Sequence, residues 1–387
     1  MPGLRRLAII TEIIAPYRIP VFNALAEHPE IDLHVIFLAE TDSTQRQWVV
    51  YKDEIRFSYE VLPSWQRRLR KQNLLVNWGV TAALRRAAPD VIVCGGYNYV
   101  ASWRSLSWAR DAGVPFLLWV ESTAKDQRRN RSRIEALKKR FMQECSGFIV
   151  PGKASFEYVR KFGISPPKIF VAPNAVDTQF FTRRAGEARR DDAAHCKALD
   201  APSRFFLFAG RLIPEKGIFD LLDAYAMLPP ELRREIALVL VGDGPARAEL
   251  SRRAAGIAPG LVKLAGFAQR EQLASYYALA ETFVFPTHTD PWGLVVNEAA
   301  ACGLPIIASD AAGCVPDLVE DRWNGRVVPA HDVAQLAIAM EELASNAEAR
   351  AVMSQRSRDR IHQYSPQACA AGIADGVLSW EAALHER

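Results

Sequence analysis

Short apolar runs of strand character alternate with longer helical stretches along the whole chain, and this alternation constrains the fold more than any single motif. In the first half the spacing predicts strands over Leu7–Thr11, Asp32–Leu38, Val91–Cys94, Phe116–Val120 and Gly147–Val150. In the second half it predicts them over Arg204–Ala209, Ala237–Val241, Val262–Leu264, Thr282–Phe285 and Ile306–Ala308. Several are continuous Val, Ile, Leu and Phe runs, as strands buried on both faces of a parallel sheet require. The stretch from Thr182 to Ser203 carries no strand signal, is rich in Arg, Asp and Ala, and predicts a linker near its beginning. A chain of 387 residues exceeds one ordinary core. The reading is α/β, with two Rossmann-like doubly wound parallel-sheet domains over 1–175 and 176–365. A last helix over 366–387 follows Ser365-Pro366. Doubly wound sheets bind ligands at the carboxyl ends of their strands, where loops lead into helix N-termini, so the chemistry is expected there.

Charge divides the chain. Residues 1–175 hold 26 Lys and Arg against 16 Asp and Glu, a balance of +10, whereas 176–387 balance at −6. A basic half suits an anionic partner such as a lipid phosphate or membrane surface, or else a solvated set of helix edges. The stretch Trp65 to Trp78, with Arg67, Arg68, Arg70 and Lys71, is predicted as a helix with Trp65, Leu69, Val76 and Trp78 toward one side. Such a helix rests either on an anionic leaflet or on its own domain with a solvated basic edge. No apolar run reaches the length of a spanning helix, and the N-terminus reads as a first buried strand rather than a secretory signal. Six cysteines lie far apart without a CxxC pair, which suits reduced thiols in the cytoplasm and no zinc site.

Two segments have the composition of a diphosphate site. Gly210-Arg211-Leu212-Ile213-Pro214-Glu215-Lys216-Gly217 follows a strand and opens a helix near Ile218. It sets a guanidinium and an ammonium beside glycine turns and backbone amides, the donors a diphosphate needs, although exposed loop charges would look the same. Asp290-Pro291-Trp292-Gly293-Leu294-Val295 opens a second helix that Gly303 and Pro305 should end. Its first amides would face an anion. Within that helix Glu298 sits among apolar residues and needs a donor, either ribose hydroxyls or a nearby Arg or amide. Gly242-Asp243-Gly244 begins like a dinucleotide fingerprint, but Arg247 stands in place of the third glycine, so a plain strand–helix turn is favoured.

In order, GRLxxxKG, VGDGP, LAGF, a strand ending FVFPT, and DPWGLVVNEAAACGLPIIAS resemble glycosyltransferase family 4, the retaining enzymes of GT-B fold, over roughly 150–200 residues. Pro173-Asn174-Ala175-Val176-Asp177 resembles that family's PNGVD junction with Ala175 in place of glycine. The resemblance implies two domains facing across a cleft, acceptor on 1–175 and donor on 176–365, with the C-terminal helix packing back on the first domain. It implies that Arg211 and Lys216 bind the donor diphosphate beside Gly210 and that Glu298 holds the ribose. Asp290 and the amides of Gly293, Leu294 and Val295 would face the sugar and its phosphate, and Gly266 and Phe267 the base. The implied reaction passes a sugar from a UDP- or GDP-sugar to a glycan or lipid-linked acceptor, in bacterial surface polysaccharide assembly at the inner face of the membrane. No metal or other cofactor and no nucleic acid are expected, since no DxD motif is present.

Three departures stand out. The family's E-x7-E pair begins here with Asp290, one methylene shorter. Trp119-Val120-Glu121 occupies the place of a catalytic-site His, leaving Glu121 as the candidate there. Thr11 to Pro20 replaces the glycine-rich loop after the first strand and offers Arg18 to an anionic acceptor or the donor phosphates. A nucleotide-sugar binding protein without transfer, a nucleotide-sugar epimerase and an NAD-dependent oxidoreductase are the alternatives.

Overall fold

The computed structural model describes residues 4–41, 48–69, 72–126, 132–257 and 261–380. The chain divides into two compact units, Met1–Ala175 with Pro366–Arg387, and Val176–Ser365.

The first unit contains β1 (Arg5–Thr11), β2 (Ile31–Phe37), β3 (Ser58–Val61), β4 (Ser64–Leu69), β5 (Gln72–Asn77), β6 (Val91–Cys94), β7 (Phe116–Trp119), β8 (Gly147–Val150) and β9 (Ile169–Val171). Seven of these form a parallel sheet in the order β3-β2-β1-β6-β7-β8-β9. Alternation along β1 explains its sequence. Ala8 and Ile10 enter one core, Leu7 and Ile9 the other, and all four are buried. The second core is completed by the helix Pro366–Ser379, whose Cys369, Ile373 and Val377 pack there with Ile19 and Phe22. That helix lies so close to the sheet that a Cβ on Gly372 would sit 2.2 Å from the Val171 carbonyl oxygen. The rest of the sequence-predicted helix, 381–387, lies outside the described residues.

The second unit contains β10 (Phe205–Ala209), β11 (Ala237–Val241), β12 (Val262–Gly266), β13 (Thr282–Phe285), β14 (Ile306–Ser309) and β15 (Gly325–Val328). They form a parallel sheet in the order β12-β11-β10-β13-β14-β15. Every residue of β10 and β11 is buried, as their unbroken apolar runs demand. In both sheets the strand order reverses beside the first strand of the unit. Loops after β10 and β13 therefore flank the point where such sheets open a crevice.

Two sequence expectations are corrected. Residues 65–78 do not form a helix. Strands β4 and β5 pair antiparallel, Trp65 opposite Val76 and Leu69 opposite Gln72. Leu75 and Asn77 are buried while Trp65 and Trp78 are exposed, the period-2 pattern of a strand. The Arg70-Lys71 step falls outside the described residues. Nor is Thr182–Ser203 a linker at its start. Helices Thr178–Arg190 and Asp192–Leu199 occupy it, the first capped by the Asp177 carboxylate accepting from Phe180 N–H at 2.9 Å. Arg189 donates to the carbonyls of Ala278 at 2.9 Å and Cys302 at 2.6 Å, fixing this helix to the second unit. No described helix is long and apolar enough to cross a membrane.

Candidate active site

The loop after β10 is shaped by a short 3-10 turn, Pro214–Lys216, and by Gly217, which sits at φ +67° and starts the helix Ile218–Met227. The loop after β13 is tied to it. His288 N–H donates to the Glu215 carbonyl at 2.9 Å, and the Thr287 hydroxyl donates to the same oxygen at 3.1 Å. These bonds bring two segments more than 70 residues apart in sequence to one point. Lys216 Nζ forms an ion pair with Asp290 there, and both side chains are only 15% exposed. The other Asp290 oxygen accepts from Trp292 N–H at 3.1 Å, and the Trp292 indole donates to Asn297 at 2.8 Å. A largely buried ion pair needs further hydrogen bonds to its remaining lone pairs, and the Trp292 N–H supplies one to the second Asp290 oxygen.

Gly293, at φ +95°, opens the helix Leu294–Ala301. The first-turn amides of a helix have no intrahelical acceptor, which leaves those of Leu294 and Val295, shortly after Asp290 in the chain, as donors. Glu298 follows Leu294 by four residues and shares its face. Its carboxylate accepts from the Tyr277 hydroxyl at 2.8 Å. Burial pushes the Glu298 carboxyl up to about 7, and the Tyr277 bond lowers it less than burial raises it. Among the described residues its hydrogen-bond partner is this tyrosine, from the helix Arg270–Leu279, rather than an Arg or an amide.

A carboxyl held above its usual range binds its proton more tightly in the folded than in the unfolded chain. Its contribution to stability is largest below about pH 4.5 and fades as pH rises to about 7. Glu298→Gln removes this cost. In the ligand-free chain it is expected to raise stability by about 1–3 kcal/mol at pH 8 and by much less at pH 5. Thermal melts of both chains at the two pH values check the sign.

Of the remaining sequence-predicted residues, Gly210 closes β10 with its N–H on the Val241 carbonyl at 3.0 Å, and Arg211 follows it, exposed. Gly266 ends β12, and Phe267 next to it is 42% exposed. In the first unit, Arg18 and Glu121 come together although 103 residues separate them. They form an ion pair, and the Arg18 guanidinium lies 4.1 Å from the centre of the Trp119 ring. Burial works against the Arg18 charge, but Glu121 and neighbouring groups outweigh it and hold the pKa above its ordinary value. The loop after β1 and the end of β7 therefore build one cationic–aromatic corner. Sequence reasoning missed Tyr277 and the Arg18–Glu121 pairing, because each depends on chain segments that only the fold brings together. It also missed Asn297, whose partner Trp292 lies in the same segment.

Two doubly wound parallel-sheet units in succession are the plan of the GT-B class of α/β chain. Comparison gives the family. Residues 191–360 match the model "Glycosyl transferases group 1", and residues 23–180 match "Glycosyltransferase Family 4". The chain is 31% identical over 219 residues to the D-inositol 3-phosphate glycosyltransferase of Saccharomonospora viridis, covering 54% of this chain and 49% of that protein. With the Streptomyces coelicolor protein of the same name the identity is 32% over 243 residues, covering 57% and 52%. The match thus spans about half the length of these curated relatives. Among solved structures, Anabaena Alr3699/HepE in complex with UDP and glucose superposes with a TM-score of 0.74 at 18% identity, over 97% of this chain and all of that one. Sucrose-phosphate synthase from Thermosynechococcus elongatus gives 0.75 at 20%, over 98% and all. The lipopolysaccharide outer core galactosyltransferase WaaB gives 0.69 at 14%, over 97% and 99%. The chain belongs to glycosyltransferase family 4, with the GT-B fold.

Proposed function

We propose that this chain transfers a sugar from a UDP- or GDP-sugar to a hydroxyl of a glycan, glycolipid or lipid-linked acceptor, with retention of anomeric configuration. The observation that carries the reading is the Lys216–Asp290 pair beside the amides of Leu294 and Val295 at the switch point of the second sheet. Breaking the bond between the anomeric carbon and its oxygen leaves negative charge on the β-phosphate. Lys216, Arg211 and the helix terminus stabilise that charge more in the transition state than in the bound donor. A phosphate oxygen arriving at Lys216 competes with Asp290 for the ammonium and releases the carboxylate to accept from a sugar hydroxyl. Glu298 accepts from the ribose, and Gly210, Gly293, Gly266 and Phe267 shape the pocket for the phosphates and base. The first unit takes the acceptor, with Arg18 and Glu121 the candidates to contact it.

The UDP complex of the Anabaena neighbour makes UDP the first nucleotide to test. The WaaB likeness and the basic first unit support an acceptor of the bacterial surface, reached at the inner face of the membrane. A thermal-shift panel of UDP, GDP, ADP and their sugars tests the donor, because a ligand of the folded form alone raises the melting point. One nucleotide family is expected to stand out, and equal small shifts for all would count against the reading. Fixed cations and a helix dipole do the work of a metal here, so turnover is expected to persist in EDTA. Loss of all turnover on chelation would count against metal-independent transfer.

A further inference from the structure

Close to the donor loops lies a second cluster that the transfer reaction does not use. Asp220 is in the first turn of the helix Ile218–Met227. His288 sits on the loop after β13, and His331 precedes Asp332, the cap of the helix Val333–Ser345. The His288 Nε2 is 2.8 Å from Asp220 Oδ2, and His331 Nδ1 is 4.0 Å from the same oxygen. All three donor atoms lie within 4.8 Å of one another. The two imidazoles stack with centroids 3.7 Å apart and planes 32° from parallel.

We infer that Asp220, His288 and His331 form a binding site for a divalent late transition metal, with zinc the reference ion. Two imidazole nitrogens and one carboxylate oxygen suit zinc, nickel, copper or cobalt, whereas magnesium and calcium prefer all-oxygen sets. Tetrahedral zinc with nitrogen and oxygen ligands near 2.0–2.2 Å spaces its donors about 3.3–3.5 Å apart. The 2.8 Å pair therefore has to open, and the 4.0 Å pair to close, by roughly half an ångström each. The side chains permit this. Asp220 and His288 are 22% and 21% exposed and make the floor, while His331 at 66% is free to swing onto the ion. A lone Asp–His hydrogen bond explains His288 but leaves the stacked second imidazole without a reason. The His331 backbone adds to this, standing in the left-handed region at φ +67°, which a non-glycine residue adopts at a cost.

The ion would tie together three segments that frame the donor loops. His288 is two residues from Asp290 and bonded through its N–H to Glu215, next to Lys216. Occupancy is thus expected to restrain the 286–290 loop without placing metal on the transferred sugar. The full chain, stripped with a chelator and desalted, is titrated with zinc by calorimetry and with cobalt by visible absorption. One equivalent of zinc and the intense cobalt bands of a four-coordinate site are expected, with no comparable magnesium binding. His331→Ala, at an exposed position, should weaken zinc at least about tenfold. The double variant His288→Ala, His331→Ala should lose both the saturable equivalent and the zinc-induced rise in melting temperature. Failure of the wild-type chain to bind a saturable equivalent would overturn the inference. So would unchanged stoichiometry and affinity in His331→Ala, which would place the metal elsewhere. Melts without metal verify that each variant is folded, and because no nucleotide sugar enters, the result does not depend on the proposed transfer.

Discussion

Replacing Lys216 with alanine is expected to lower kcat by about two to three orders of magnitude, the loss of about 2.7–4 kcal/mol seen when one donor to a developing oxyanion is removed. Lys216 is largely buried and its partner Asp290 is equally so, so the substitution removes a cation and also strands a carboxylate. The two consequences separate by measurement. Stranding Asp290 lowers the melting temperature without donor, whereas loss of transition-state stabilisation lowers kcat at saturating donor in a chain that is still folded. Lys216→Arg keeps the charge but spreads it over a planar fork, and is expected to restore only part of the rate. A Lys216→Ala chain that is folded and retains most of its turnover would remove this residue from the reaction.

Gly217→Ala is expected to destabilise the second unit by about 2–5 kcal/mol. The residue sits at φ +67°, and a Cβ there would lie 1.9 Å from the Pro286 carbonyl oxygen, on the loop that carries Asp290. Backbone strain and overpacking therefore act together, since neither the helix start nor a backbone carbonyl can simply step aside. For a unit of this size the drop in melting temperature is about 5–15 °C. Gly186→Ala is the control. It lies in the helix Thr178–Arg190 with nothing within 4 Å of a built Cβ, and its replacement should stabilise by about 0.5–1 kcal/mol. Equal effects at the two positions would show that the close approach at Pro286 does not hold the loops together.

How far the sequence was readable follows from what buries each segment. Val91–Cys94, Gly147–Val150, Ala237–Val241 and Thr282–Phe285 run as observed, because a central parallel strand buried on both faces leaves an unbroken apolar run. Ser58–Val61, Ile169–Val171 and Gly325–Val328 escaped, being short strands at sheet edges. One, Ser-Tyr-Glu-Val, has only mixed polarity to show, and another opens on Gly-Arg. Residues 64–77 misled because Trp65, Leu69 and Val76 recur at spacings of four and seven, which a helix also satisfies; the pairing that makes them a hairpin is not local. At the site, the helix starting after Gly293 was legible from its glycine and proline punctuation. The Tyr277 hydroxyl on Glu298 and the meeting of Lys216 with Asp290 were not, since each joins residues that only the parallel topology makes neighbours.

The most direct measurement is a crystal structure of this chain with a UDP- or GDP-sugar bound. The expected result puts the β-phosphate within hydrogen-bond reach of Lys216 and the first amides of the helix at Leu294, with the ribose hydroxyls on Glu298 and Asp290 turned toward the sugar. A nucleotide seated in the first unit, or in the second unit away from these groups, would contradict the claim that the switch-point ion pair is the donor site.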